Sequence, residues 1–308
     1  MPEHKANIEQ AVAHYYNRNT LRFLTFGQGK ESYAIHRAVF APGVTGDEQA
    51  MHYVHDLVLD AVNTYKNTVI IDIGCGVGGS MLYLSKKSTA QYFGITLSTV
   101  QAEYGQSLFV RNGIDKQCTI IAGSFLDPQI YKTIDDRAPK GPRLFFCIES
   151  FIHAAYPGVL IENIKNHTRS DDIVIICDDM IDDTRPPSAD SSASSATTIA
   201  PNLQNRIQVQ NRVLSLFINR WNASGLLGQN NLVSLMNSFD FSLVSEQDLT
   251  PYLAIGRPRD MVNRVLTVFA HMIPRGNPFW DNIVGGDALQ QCIKLGIITY
   301  RFMIFKRT

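Results

Sequence analysis

The chain lacks any apolar run approaching ~18 residues, so no membrane span is expected. It lacks an excess of charge of either sign: 28 Lys and Arg face 28 Asp and Glu. Binding a phosphate backbone needs a clustered basic surface, so no nucleic-acid partner is expected. Cysteines are few and odd in number: Cys75, Cys118, Cys147, Cys177 and Cys292. None stands at metal-ligand spacing and no disulfide framework is visible, which suits a reducing cytoplasm. Three of them lie in or beside strand-like runs and read as small buried hydrophobes. The opening residues, MPEHKANIEQ, have no apolar h-region, so no secretory leader is expected and the location reads as cytoplasmic. What remains, 308 residues with 45% apolar and 18% charged, is the balance of one large soluble domain, or of one with an appended subdomain.

Along the chain, helical and strand-like patterns alternate. A helix is expected from about 46 to 65, with Val54, Leu57, Val58 and Ala61 as its apolar stripe. Then come VIIDI (69–73) as a strand, SMLYLSKK as a helix and QYFGI (91–95) as a strand. Residues 98–112 read as a helix capped by Ser98 and ended before Gly113. CTIIAG, LFFCI and DIVIICDD follow as strands, with a helix over 158–167 before the last of them. Continuous apolar strands separated by helices imply a mostly parallel sheet covered on both faces, a doubly wound, Rossmann-like α/β fold. FSLVSEQDLT and YRFMIFKR read as the last two strands, forming an antiparallel edge. Residues 7–26 predict one or two N-terminal helices with a break around Asn17–Thr20. The expected organisation is a helical cap over 1–45 and the main domain over 46–308, with inserted helices around 200–225 and 251–295. The Ser-, Ala- and Pro-rich stretch 185–198 reads as a mobile loop. The apolar helices near 203–224 and 255–273 offer a surface for a homo-oligomer.

The sharpest local feature is VIIDIGCGVGGS. Gly74, Gly76 and Gly78 follow a strand and open a helix, where glycine permits a tight turn and close backbone approach to a ligand. Asp72 precedes the first glycine. A pyrophosphate favours a helix N-terminus free of competing anions, whereas an acid here suits a ligand carrying an ammonium group. This D-I-G-C-G-V-G-G form resembles the S-adenosylmethionine loop of class I methyltransferases. GITLSTVQ (94–101) is similar to the GITLSPxQ stretch of C-methyltransferases acting on sterols, tocopherol precursors and prenyl diphosphates, and to its counterpart in cyclopropane fatty-acid synthases. That resemblance implies S-adenosylmethionine as cofactor and covers about residues 50–185. It carries Thr96, Leu97 and Gln101 to the ribose–adenine region, and Ser124 and Phe125 of AGSFLD to the adenine. Many class I enzymes have an acid where Thr96 and Leu97 stand, and an Asp is commoner at the Ser124 position.

At the end of the fourth strand, LFFCIESFIHA places Glu149 where an apolar run stops, and His153 follows four residues on. It resembles the IEAxxHA stretch of sterol C-methyltransferases and the NES stretch of geranyl diphosphate C-methyltransferases. By that resemblance Glu149 also lies beside the cofactor and faces a carbocation on the acceptor. The residue type suits the chemistry: an alkene attacking a sulfonium methyl becomes a tertiary cation, which a carboxylate stabilises and then deprotonates. Such a chamber must be apolar, since water would capture the cation, and aromatic faces stabilise it further. Tyr15 is assigned with Glu149 to manage the cation. Tyr16, Phe23, Phe26, Phe151 and Trp221 are candidate walls, though each alone fits a core position equally well. A structural alternative for Glu149 is pairing with a buried arginine, and for His153 a hydrogen bond to Glu149 or to a carbonyl.

The N-terminal segment 15–43 is rich in aromatics and bases and reads as a cap on the acceptor pocket. His36 and Arg37 are candidates for a polar substrate head. A diphosphate head would need several cations and usually magnesium, with Arg22, Arg143 and Arg206 as further candidates. The acid run DDMIDD (178–183) could bind a metal or be a solvated loop; no metal site is assigned. The expected reaction is methyl transfer from S-adenosylmethionine to an alkene carbon of an isoprenoid or prenylated small molecule, of the kind found in terpenoid secondary metabolism. The cation is quenched by proton loss or by cyclisation. The alternatives are an O- or N-methyltransferase of a small polar metabolite with His153 as base, a cofactor-binding scaffold without turnover, and a nicotinamide-dependent oxidoreductase.

Overall fold

The computed structural model describes residues 32–183, 201–270 and 276–308, together with Ala13, Tyr16, Asn17 and Thr20. Seven strands form one sheet in the order β3-β2-β1-β4-β5-β7-β6. The elements are α1 (Asp47–Tyr65), β1 (Val69–Ile73), α2 (Gly79–Ser85), β2 (Gln91–Thr96), α3 (Thr99–Arg111), β3 (Cys118–Ala122) and α4 (Pro128–Arg137). They continue with β4 (Arg143–Ile148), α5 (Pro157–Asn166), β5 (Ile173–Ile181), α6 (Pro201–Trp221), α7 (Gln229–Ser238), β6 (Phe241–Asp248), α8 (Pro258–Ala270), α9 (Pro278–Lys294) and β7 (Ile298–Arg307).

Strands β1 to β5 pair in parallel. The antiparallel strand is β7, which runs against both β5 and β6 and so lies one place in from the edge. The two C-terminal strands therefore do not share one direction at the rim: β6 is the edge, and its mostly exposed residues reflect that.

The period of two along each strand divides the core. Ile70, Leu144, Phe146 and Ile175 face helices α1, α2 and α3. Ile71, Phe145, Val174 and Ile176 face α4, α5 and α7. Burial on both faces explains why the central strands read as unbroken apolar runs. A third cluster joins α6, α9 and the start of β7 through Phe217, Ala288, Leu289, Cys292 and Ile298. The inner face of α6 is thus covered within the chain, while α8 leaves Met261, Val262 and Val265 exposed.

Ser98 caps α3, its Oγ accepting the Gln101 N–H at 3.0 Å. Asn17 and Thr20 are helical, not at a break; the Thr20 hydroxyl donates to the Tyr16 carbonyl one turn back at 2.6 Å. The 185–198 stretch lies outside the described residues. No helix among the described residues is long and apolar enough to cross a membrane.

Candidate active site

The site lies along the carboxyl edge of the parallel strands, where a doubly wound sheet opens to ligands. After β1, the glycine loop turns with Gly74, Gly76 and Gly78 all at positive φ. Their surroundings differ. A Cβ at Gly76 would meet nothing nearer than Gln101 Nε2 at 4.0 Å, so this backbone faces open space. A Cβ at Gly78 would strike Phe109 at 2.5 Å, so Gly78 serves helix packing and does not line the cavity. From the end of β2, the Thr96 hydroxyl donates to Gln101 Oε1 at 2.7 Å, leaving the Gln101 amide NH2 turned toward Gly76.

Two small cavities meet at this loop. One, of about 70 Å³, is lined by Gly74, Gly76, Thr96, Leu97, Gln101 and Phe125, and by Ile148, Glu149 and Ser150 from the end of β4. The other, about 40 Å³, has Asp72, His36, Gly76 and Ser80 on its walls. Burial alone pushes the Asp72 carboxyl well above the usual carboxylate range. Among the described residues no cation pairs with it. A buried carboxylate without a counter-charge is the complement of a ligand ammonium. With the open cradle at Gly76, it makes this edge fit an amino-acid-bearing nucleoside such as S-adenosylmethionine.

Glu149 stands at the junction with a third cavity. Its φ of +51 is rare for a residue with a side chain, and its N–H is tied to the Cys177 carbonyl at 2.9 Å. Such a backbone persists where the surroundings over-determine it. Here it directs the carboxylate between the two chambers. Oε1 accepts from the Arg37 N–H (2.8 Å), Arg37 Nε (3.1 Å) and the Tyr300 hydroxyl (3.0 Å). Oε2 accepts no hydrogen bond among the described residues and is left to the cavities. Burial would raise the Glu149 pKa, but the Arg37 charge, then that of His36 and the Arg37 hydrogen bonds, hold it below the usual range. The group is a fixed anion at neutral pH.

The third cavity, about 110 Å³, is lined by Tyr16, Ile35, Ile152, His153, Asp179 and Trp221, with Glu149 and Asn282. Trp221 reaches it from the end of α6. Its indole lies where a Cβ on Gly285 of α9 would come within 2.2 Å, and a buried Arg220–Asp281 ion pair at 2.6 Å joins the same two helices. His153 closes the turn Phe151–His153. Its Nδ1 is 3.4 Å from the Asn222 carbonyl and its Nε2 3.2 Å from the Tyr16 hydroxyl. The consistent assignment has Nδ1–H donating to the carbonyl and Nε2 accepting from the phenol. Burial pushes the His153 pKa down and the Tyr16 pKa up, so both are neutral.

The structure therefore brings Asp72, Gly74, Gly76, Thr96, Leu97, Gln101, Phe125, Glu149, His153, Tyr16 and Trp221 to one connected edge. It separates others from it. Phe151 is buried in the core on the α4, α5 and α7 side of the sheet. Ser124 is away from the cavity walls, its Oγ accepting the Leu126 N–H at 3.0 Å within the turn. His36 sits at the Asp72 end of the site, with its Nε2 2.9 Å from His55 Nε2, and not at the acceptor end. Arg37 pairs with Glu149 and with Asp179 instead of facing a substrate head. Tyr15, Phe23 and Phe26 lie outside the described residues. Asp178 and Asp179 escaped the sequence reading as site residues. Their run continues into Met180 and Ile181 of β5, an apolar ending that marks them as buried in a strand and not part of a solvated loop.

The family model described as mycolic acid cyclopropane synthetase matches residues 3–135. The structure superposes on geranyl diphosphate C-methyltransferase from Streptomyces coelicolor A3(2), solved with Mg2+, geranyl diphosphate and S-adenosyl-L-homocysteine. The TM-score is 0.61 at 14% identity, covering 98% of both chains. By these matches the chain is similar to S-adenosylmethionine-dependent methyltransferases of the cyclopropane synthetase group. Among curated methyltransferases it is 30% identical over 117 residues to 24-methylenesterol C-methyltransferase 3 of Arabidopsis thaliana, covering 37% of this chain and 31% of that one. It is 45% identical over 58 residues to a probable chloroplastic tocopherol O-methyltransferase of Oryza sativa subsp. japonica, covering 19% of this chain and 16% of the relative. The chain thus spans less than a third of the length of either curated relative. The sterol enzyme match and the family-model match bear on the group, and the superposition on the fold.

Proposed function

We propose that the protein binds S-adenosylmethionine across the Asp72 and Gln101 cavities and methylates an alkene carbon of an isoprenoid or prenylated small molecule. When bound, the cofactor supplies an electrophilic methyl on a sulfonium sulfur. The alkene π pair forms the new carbon–carbon bond, and the electron pair of the broken bond stays on sulfur. The acceptor is left with a cationic carbon. Glu149 carries this reading: an ionised carboxylate, held by three donors on Oε1, that borders both the cofactor cavity and the acceptor cavity. Its free Oε2 stabilises that positive centre and accepts the proton lost from the adjacent carbon, restoring an alkene. Ile35, Ile152 and Trp221 limit water in the acceptor cavity. The C-methyltransferase relatives and the five buried free cysteines support an isoprenoid acceptor and a reducing cytoplasmic location respectively.

The test is product mass spectrometry with an alkene panel, comparing the protein with Glu149→Gln. The variant is expected to lose at least a hundredfold in turnover while binding S-adenosylhomocysteine. Unchanged turnover would end the proposal.

A second reading has one observation in its favour. The neutral His153 imidazole lines both cavities, and its Nε2, which accepts from the Tyr16 hydroxyl, would serve as a base for an O- or N-methyl acceptor that displaces that hydroxyl. Methylation of a phenol or amine panel, abolished by His153→Gln but not by Glu149→Gln, would favour it.

A further inference from the structure

Beside Glu149 lies a second carboxylate that the proposed chemistry does not use. Asp179 is 2% exposed and lines the acceptor cavity. Among the described residues its Oδ2 accepts no hydrogen bond. Arg37 Nη2 makes an ion pair with Oδ1 at 2.8 Å, on the one side of the carboxylate only. The well-aligned donors of Arg37, its N–H and Nε, both go to Glu149. Buried carboxylates are normally satisfied by several donors, and one left without them has a destabilising environment. Burial pushes the Asp179 pKa up to about 6 in spite of the adjacent guanidinium.

We infer that Asp179 is the receptor for a hydrogen-bond-donating head on the acceptor, a hydroxyl or an amine, and that the site selects against a diphosphate. The inference rests on the proposed methyl transfer and deepens it by naming the acceptor's polar group. Charge gives the second argument. The Glu149 and Asp179 side chains, 13% and 1% exposed, both border this cavity, and among the described residues Arg37 is the guanidinium between them. A diphosphate would add at least two negative charges where carboxylates already outnumber that cation. Arg143, a sequence candidate for binding it, is held by Asp135 and by the His167 carbonyl. A donor head, by contrast, supplies what Asp179 lacks. Glu149 and Asp179 share Arg37 and line one cavity, so the head must lie close to the carbon that reacts.

The test is calorimetry on the full chain saturated with S-adenosylhomocysteine, using four ligands with related ten-carbon bodies: geraniol, geranylamine, geranyl diphosphate and the hydrocarbon myrcene. Geraniol and geranylamine are expected to bind at least tenfold more tightly than myrcene and geranyl diphosphate. In Asp179→Asn the geranylamine advantage is expected to fall at least tenfold, with S-adenosylhomocysteine affinity unchanged within twofold as the folding control. Tightest binding of the diphosphate, no binding of any of the four, or an undiminished amine advantage in Asp179→Asn would overturn the inference. Failure of the parent reading is distinguishable, because it appears as unchanged turnover in Glu149→Gln, or as absent S-adenosylhomocysteine binding before any acceptor is added.

Discussion

Arg37 holds Glu149 by its backbone and its side chain at once: the amide N–H and Nε both donate to Oε1, at 2.8 and 3.1 Å. The same guanidinium stacks over the Tyr300 ring at 4.1 Å, and the Tyr300 hydroxyl completes the set on Oε1. Glu149, the residue after β4, and the segment before α1 are thereby locked together across 112 positions of sequence. Replacing Arg37 with Gln would leave Glu149 and Asp179 as two buried anions without a counter-charge. Breaking a buried pair in this way costs about 3–5 kcal/mol, so a clear fall in Tm at pH 7.5 is expected. The difference from the parent should shrink as pH falls through about 6, because Asp179 then takes up a proton. Thermal unfolding at pH 7.5 and 5.5 measures it, and an equal deficit at both would refute the charge argument.

The histidines under the glycine loop set an acid limit. His36 Nε2 is 2.9 Å from His55 Nε2, and His55 Nδ1 is 3.0 Å from His52 Nδ1. Burial, before any neighbouring charge, pushes all three pKa values down, His55 well below the ordinary histidine range. A histidine whose folded pKa is lowered binds its proton more readily when unfolded. Stability is therefore lost as pH falls below about 6.5, the unfolded value. Carboxyls with raised pKa values, Asp179 among them, act in the opposite sense, so the informative quantity is a difference. His55→Asn should show a smaller loss of Tm between pH 7 and 5.5 than the parent. An identical slope would show that His55 does not stay neutral in the fold.

Two glycines of the loop should fail differently. At Gly76 an added Cβ meets open space in the cavity at φ +56, so Gly76→Ala carries only the left-handed backbone cost, about 1–2 kcal/mol. Its methyl occupies the ligand's space, and S-adenosylhomocysteine affinity should fall at least tenfold. At Gly79 a Cβ would come within 2.3 Å of the Tyr33 carbonyl oxygen. Gly79→Ala must push residues 33–34 away from α2, and should lower Tm more than Gly76→Ala does. Calorimetry and thermal melts on the pair decide this; the reverse ranking of Tm would contradict the geometry.

Much of the sheet was legible because fully buried strands leave no polar interruptions, and Glu149 was legible because it breaks such a run at its carboxyl end. Its partner was not. Arg37 and His36 are adjacent and look alike as bases near aromatics, yet one reaches Glu149 while the other turns to His55. Sequence neighbours in an extended segment point to opposite sides, and only the tertiary fold says what lies on each. Phe151 misled for a similar reason: in the short turn after β4 its side chain returns to the core, while Ile152 and His153 face the cavity. The separation between β5 and the end of α6 hid the arrangement of Asp179 and Trp221, which no local pattern encodes.

Asp72 offers the sharpest separation of stability from binding. Its carboxyl is 4% exposed, and burial alone raises its pKa. A carboxyl whose folded pKa lies above its unfolded value opposes folding at neutral pH and is relieved as pH falls through the folded value. Asp72→Asn keeps the shape and removes that opposition, so the ligand-free variant should melt at the same temperature as the parent or higher at pH 7.5. The same change removes the anion that complements a ligand ammonium, so S-adenosylhomocysteine should bind at least tenfold more weakly and raise Tm less. A variant that melts lower and binds normally would mean that Asp72 is a structural acid with a partner inside the fold, and that the ammonium end of the ligand lies elsewhere.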